Sequence, residues 1–357
     1  MGGDQGSGPD QVEAYESVSS IETEWEQLAD RSDAPPFMEP GWIGAWWEAF
    51  GQGELRILAC RREGRLVGVL PLARHGGVLS SPTNWHTPEF GPVFEERSDA
   101  AALARALFRQ RFRRVRLSFL DSASDALAEL RAAARSAGYR PAERVKVRSP
   151  FVAGDADWET YWQSRSGNHR SGVRRLRRRL EERGSVSLEV FGGGERLAER
   201  LQEAFEIEAS GWKGEQGTAI LSNPETRRFY EQVARWAARR GVLRLAFLRV
   251  DGRAVAVHLS LEANRRYYML KPGFDPSLSK AGPGKLLDWE MVERVFTEGL
   301  ESFEFLGADD PYKLTWADDS RERIEFQAFS RSPAGMLDRL AQTRGRALAR
   351  RVIALRR

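Results

Sequence analysis

A single cysteine, Cys60, excludes any disulfide within this 357-residue chain, and a reducing compartment is the expectation that follows. Cys60 stands in the apolar run 55–60 and reads as a small core residue, not as a nucleophile. Histidine is scarce too. His75, His86, His169 and His258 are scattered, no pair has the spacing of metal ligands, and no metal is expected. No stretch approaches the ~20 apolar residues that cross a bilayer. The first ten residues are Gly-rich and acidic, without the apolar run of a signal peptide. A soluble, cytoplasmic protein with no membrane span is therefore expected. Excess charge is missing as well: 55 Lys and Arg stand against 51 Asp and Glu, so charge placement outweighs net charge in any electrostatic argument.

What is present is a 41% hydrophobic and 10% aromatic composition, enough for separate cores in two domains of ordinary size. Residues 12–18 alternate as a strand does, and Ser20, with Thr23 and Glu24 behind it, opens an amphipathic helix to about 29. After Pro35-Pro36 a short aromatic helix covers 41–50. Two apolar runs, 55–61 and 66–73, meet at Arg62-Glu63-Gly64-Arg65, a hairpin signal. Extended sequence over 79–94 is broken by Pro82, Pro88 and Pro92. A helix over 99–109 with Ser98 as cap, a strand over 115–120, a helix over 125–137 ending at Gly138, and a strand over 144–147 follow.

A long basic helix over 158–183 opens the second half, and then the same order returns. It runs as a strand over 186–191, a helix over 197–209, and a helix over 224–239 with Asn223 as cap and Pro224 in the first position. A hairpin of 243–250 and 254–261 turns at Asp251-Gly252. A strand over 265–270, a helix over 286–298 and a strand over 302–306 come next, and 323–329 is read as closing this second sheet. The hairpins match in detail, with Cys60-Arg-Arg-Glu-Gly-Arg-Leu-Val-Gly-Val against Leu248-Arg-Val-Asp-Gly-Arg-Ala-Val-Ala-Val. Sharing a whole order of elements points to an internal duplication of roughly 150 residues.

That order of elements resembles the GNAT acyltransferase superfamily. Gly211-Trp212-Lys213-Gly214, Tyr268-Met-Leu-Lys-Pro-Gly-Phe-Asp275, Pro283-Gly284 and Phe305-Leu-Gly-Ala-Asp-Asp-Pro-Tyr-Lys313 followed by Trp316 resemble the CelD/BcsL-type group. These are tandem GNAT proteins related to the Fem-type aminoacyltransferases. The resemblance covers nearly the whole chain, most densely over 200–316. It implies an α/β fold of two tandem GNAT-like domains, each a mixed, mostly antiparallel sheet flanked by helices. The expected division is a disordered start over 1–11, an N-terminal domain on the acceptor side over 12–150, a C-terminal domain with donor site and catalysis over 151–332, and a basic helical tail over 333–357. The implied activity is N-acyl transfer from acyl-coenzyme A to the amine of a small-molecule, glycan or peptide acceptor, by direct attack.

Such a transfer needs backbone N–H groups for the donor's phosphates, a proton acceptor for the amine, and donors for the developing negative charge. Ala281-Gly-Pro-Gly-Lys285 precedes a helix, whose start offers free N–H groups and partial positive charge. Gly282 and Gly284 allow close approach, and Lys280 and Lys285 add charge. The superfamily pattern carries a basic residue or Gln three places before its first glycine; Ser279 stands there, and Lys280 is one place on. Taken alone, Gly-Pro-Gly is a turn before a helix. The matching stretch of the first half, Gly91 to Asp99, is acidic and lacks paired glycines, which is why that half is given the acceptor side.

Adjacent carboxylates hold a proton more readily than isolated ones, so Asp309 or Asp310 is the expected base. Lys313, aligned with a lysine of the Fem-type motif, is expected near the transferred carbonyl, with Tyr312 as the alternative acid. The competing reading is a polar loop in which Lys313 pairs with Asp310. Lys271 is placed near the donor carbonyl, Trp212 and Lys213 on the acceptor wall, and His86 and Glu89 on a loop of the acceptor half. His258 reads as a core or cleft histidine.

Residues 165–183 hold eight arginines and 339–357 hold seven. Runs of this kind are usually solvated faces, and they also suit phosphate-rich partners. Arg170 is expected to steer an anionic acceptor or the coenzyme. The Fem relationship keeps aminoacyl-tRNA open as donor, and a catalytically inactive binding module is the third reading.

Overall fold

In the computed structural model, which describes residues 11–211, 216–317 and 319–342, Glu63 and Gly64 both have positive φ (52° and 80°), as do Asp251 and Gly252 (47° and 79°). Two-residue loops of that kind match the twist of the strands they join. Each closes a hairpin in a separate unit. Among the described residues, one unit takes 11–47, 51–147 and 322–342; the other takes 48–50 and those between 148 and 321.

The first unit contains β1 (Gln11–Tyr15), α1 (Glu22–Arg31), most of α2 (Pro40–Phe50), β2 (Glu54–Arg62), β3 (Arg65–His75), β4 (Val78–Ser80), β5 (Val93–Phe94), α3 (Arg97–Arg109), β6 (Arg114–Asp121), α4 (Asp125–Ser136) and the start of β7 (Arg140–Ala153). Its sheet runs β1-β2-β3-β4-β6, antiparallel except for β4 beside β6. Residues 66–73 of β3 are all buried, the mark of a strand covered on both faces. The helix expected from 99 begins two residues earlier. Glu96, not Ser98, is its cap, and it exchanges hydrogen bonds with Asp99 in a capping box.

The second unit contains the end of β7, α5 (Trp158–Ser164), α6 (Gly167–Glu181), β8 (Val186–Phe191), α7 (Leu197–Ala209), α8 (Pro224–Arg239), β9 (Leu243–Val250), β10 (Arg253–Ala263), β11 (Arg266–Phe274), α9 (Pro283–Thr297) and β12 (Ser302–Glu304). Its sheet runs β7-β12-β11-β10-β9-β8, and only β11 and β12 are parallel. The long helix expected over 158–183 is two helices. Arg165 and Ser166 are extended (ψ 148° and 144°), and Ser166 Oγ caps α6 by accepting from the His169 N–H. The break lets Trp158 and Trp162 of α5 stack at 5.3 Å and join Trp289, Phe296 and Trp316 in one aromatic cluster.

The strand expected to close the second sheet, β13 (Asp319–Phe329), pairs instead with β6 of the first unit, from Arg323↔Asp121 to Phe329↔Arg114. Ile324, Phe326 and Ala328 enter that unit's core. Arg323 is buried there between Glu89 and Asp121, 2.6 Å from each carboxylate. Most of the expected C-terminal helix, 343–357, lies outside the described residues. Among the described residues no helix is long and apolar enough to cross a membrane.

Candidate active site

β11 and β12 pair only over Arg266↔Ser302, Tyr267↔Phe303 and Tyr268↔Glu304. Beyond Tyr268 the two strands part. A bulge at Leu270 interrupts the pairing of β11 with β10, between Ser260↔Met269 and Leu259↔Lys271. After the bulge, successive residues face opposite sides of the sheet: a Cβ on Gly273 would meet α7 at Glu208, whereas Phe274 packs against Gly284 of α9. On the other side of the gap, the Phe305 N–H bonds to the Pro150 carbonyl, and the chain turns away at Leu306 and Gly307 (φ 54° and 59°).

The gap is a cleft of about 740 Å³. One wall is 270–274 of β11; the floor is the start of α9, with Gly282, Gly284, Lys285 and Asp288; the other wall is Asp310, Tyr312, Lys313, Thr315 and Trp316. Gly282 is left-handed (φ 59°) and forms the N-cap of α9, its carbonyl accepting from the Leu286 N–H at 3.1 Å. With Pro283 lacking an N–H, the Gly284 and Lys285 amides are the helix-start donors at this cleft. Gly282→Ala is expected to cost about 1–2 kcal/mol for a left-handed alanine. Its Cβ would also stand 2.8 Å from the Leu176 side chain. Urea unfolding of the variant measures the loss.

Lys313 is 5% exposed, and its ammonium donates to the Leu306 carbonyl (2.9 Å) and the Ala308 carbonyl (2.8 Å) while pairing with Asp310 at 2.9 Å. An ammonium has three donors, and all three are engaged within the loop. Lys313 therefore clamps the loop that presents Tyr312, and has no proton to spare for a carbonyl. Burial, followed by the negative charges of Asp288 and Asp310, raises the Tyr312 phenol well above its ordinary range. The ring is only partly withdrawn, at 44% exposed, and the phenol stays protonated through neutral pH. Lys285 is shifted the other way, its ammonium disfavoured by burial and partly supported by Asp288. Behind the Trp316 wall, His169 meets that indole edge-on at 4.4 Å. Burial, then the charges of Lys285 and Arg165, lowers His169 to about 4, so it is neutral at neutral pH.

Of the residues singled out in the sequence, Lys271, Gly282, Gly284, Lys285, Asp310, Tyr312 and Lys313 share this cleft. Asp309 is exposed and is not part of its lining, so Asp310 is the one of the pair that faces it. Lys280 is exposed on the turn before Gly282, its carbonyl accepting from Arg179, while Ser279 lines the cleft. Arg170 is outside the lining and donates to Gln163 at 2.7 Å. Trp212 and Lys213 lie outside the described residues. In the first unit, Glu89 is bound to Arg323, and His86 sits on the loop where its N–H bonds to Asn84. Sequence reasoning missed Asp288. Its signal is an acid on the otherwise apolar face of α9, among Leu286, Leu287, Met291 and Val292, all buried.

Residues 167–314 match the family model described as "Acetyltransferase (GNAT) domain". That stretch, from α6 to the loop that carries Lys313, matches a GNAT acetyltransferase domain, and the match supports an acyltransferase class for it. FemX is similar over 92% of this chain and 99% of its own, with 13% identity and a TM-score of 0.60. The C-terminal domain of a protein assigned as a lysylphosphatidylglycerol synthetase, from Agrobacterium fabrum, is similar over 90% and 95%, with 14% identity and a TM-score of 0.56. A conserved protein of unknown function from Bacteroides thetaiotaomicron is similar over 90% and 100%, with 12% identity and a TM-score of 0.53. At these identities the likeness is one of fold: two GNAT-like domains in tandem, related to the Fem-type architecture. No curated protein sequence matches this chain.

Proposed function

We propose that the second unit transfers an acyl group from acyl-coenzyme A to the amine of a small-molecule, glycan or peptide acceptor, by direct attack and without a covalent enzyme intermediate. The observation that carries this reading is that one cleft brings a helix start, with the Gly284 and Lys285 amides, to the same lining as the Tyr312 phenol. An anionic carrier fits that donor set: two N–H groups at the positive end of α9, Lys285 beside them, and Lys271 on the opposite wall. The carrier's thioester would supply the activated acyl group. Tyr312, held protonated, donates to the departing sulfur. Lys313 and Asp310 keep the loop that carries it in place.

The first unit's own cleft, about 440 Å³, is lined by Glu89, Glu95 and Asp121 and by no lysine or arginine, which speaks against a second anion site and leaves that unit the acceptor side. Its carboxylates are engaged by arginines, Glu95 with Arg31 and Arg65, and Glu89 and Asp121 with Arg323. Within the GNAT class we favour the CelD/BcsL type, and the single, buried Cys60 fits a reducing cytoplasm. One observation favours an aminoacyl-tRNA donor instead. Arg174, Arg175 and Arg178 are exposed on α6, and Leu176 of the same helix stands against Gly282.

Thermal-shift measurements separate these readings. Acetyl-coenzyme A or a longer acyl-coenzyme A is expected to raise Tm by saturable binding. Stabilisation by aminoacyl-tRNA alone would move the assignment to a Fem-like transferase, and no response to any of the three would leave a binding module.

A further inference from the structure

Asp288 is only 5% exposed, yet it borders the cleft. A carboxylate held on the apolar face of a helix is costly unless it is paired. Its partner is His258 of β10, 1% exposed, with Nε2 3.2 Å from Asp288 Oδ1. That is ion-pair distance off the hydrogen-bond axis, and neither ring nitrogen of His258 makes an aligned hydrogen bond. A buried imidazole with both nitrogens so placed is poorly explained by packing alone. The contrast with Asp310 is direct. Asp310 is about half exposed and already tied to Lys313, whereas Asp288 has an imidazole behind it and open cleft before it.

We propose that Asp288, backed by His258, is the base that takes the proton of the attacking amine; this rests on acyl transfer in the cleft as read above. As the amine nitrogen bonds to the acyl carbon, the carbon–sulfur bond breaks. The nitrogen's surplus proton passes to the Asp288 carboxylate, and the departing sulfur takes a proton from Tyr312. Asp288 then restores the Tyr312 proton through the cleft, so the net transfer is one proton from amine to thiol. When the acceptor arrives as an ammonium ion, an additional proton must leave, and His258 Nε2 is positioned to receive it from Asp288. Near His258 the Tyr267 ring stands at 6.4 Å, and burial, ahead of the neighbouring charges, raises its phenol. Those charges include Arg294 and Glu262, which pair at 2.5 Å, and Arg294 borders a second cleft of about 600 Å³ on the far side of α9.

The groups facing Asp288 are His258 on β10, Tyr267 on β11, Lys285 one turn back on α9, and Tyr312 on the loop after β12. The test uses the full chain, acetyl-coenzyme A as donor, and a panel of primary amines (amino acids, amino sugars and diamines), read by thiol release. Asp288→Asn should keep the acetyl-coenzyme A thermal shift and the donor KM, and lower kcat by ~10²–10⁴-fold. Loss of kcat with the donor shift and donor KM retained is what removal of a merely structural carboxylate would not give. His258→Gln should lower kcat at least ~10-fold with the donor KM unchanged. It carries the test should Asp288→Asn fail to fold. Asp288→Asn within about threefold of wild-type turnover overturns the assignment and leaves the acyltransferase reading standing. A wild-type chain that neither binds nor turns over acetyl-coenzyme A or a longer acyl-coenzyme A brings down both together.

Discussion

Tyr312→Phe is expected to lower turnover by ~10²–10⁴-fold, the usual contribution of a positioned acid, while acetyl-coenzyme A still stabilises the protein as it does the wild type. The substitution removes one oxygen and little else. The ring keeps its edge-on contact with Phe305, at 6.5 Å, and its place beside the Lys313 ammonium, at 5.8 Å. A residue with nearly half its surface in solvent contributes little buried area, so stability should change by well under a kcal/mol. The chemistry is affected because burial, then Asp288 and Asp310, keeps the phenol protonated, and phenylalanine has no proton to give the departing sulfur. Steady-state thiol release, set beside the thermal shift, separates the two effects. Turnover within threefold of wild type would remove Tyr312 from the chemistry; loss of the donor shift would make it a binding residue instead.

The parts of this molecule that were legible in its sequence are those set by local rules. Glu63-Gly64 and Asp251-Gly252 announce left-handed turns and Asn223-Pro224 announces a helix start, whereas α9, expected from 286, begins at Pro283 with Gly282 as its cap. Placing Lys271, Gly284, Lys285 and Tyr312 near one another needed only the order of elements. Where partners are distant, the same rules fall silent. The alternation of Ile324, Phe326 and Ala328 identifies a strand but cannot say which sheet it joins. The break between α5 and α6 was written in Ser166-Gly167, a cap followed by a poor helix former, yet the flanking arginines hid it in a continuous basic run. Lys313 is the sharpest case. Two of its three acceptors are main-chain carbonyls, Leu306 and Ala308, aimed by left-handed residues that no motif records. Its pairing with Asp310 was the plainer of the two readings open at the start.

Arg323→Met tests the first unit in a similar way. Removing that guanidinium leaves Glu89 buried without its countercharge, and breaking one side of a buried pair of this kind costs about 3–5 kcal/mol. The loss is expected as a lower urea midpoint with an unchanged m-value. Asp121, a third exposed, adds little, because solvent replaces part of what Arg323 supplied. Glu89→Gln is the informative companion. If Glu89 serves Arg323, as the 2.6 Å contact indicates, the amide should cost about 1–3 kcal/mol of stability and leave the acceptor KM alone. If it instead met the acceptor amine, as its loop position first suggested, the KM would rise and the urea midpoint would stay in place. The two variants assign Glu89 either to the fold or to the substrate, because stability and acceptor KM report separately on its bond to Arg323 and on a contact made from the cleft it lines.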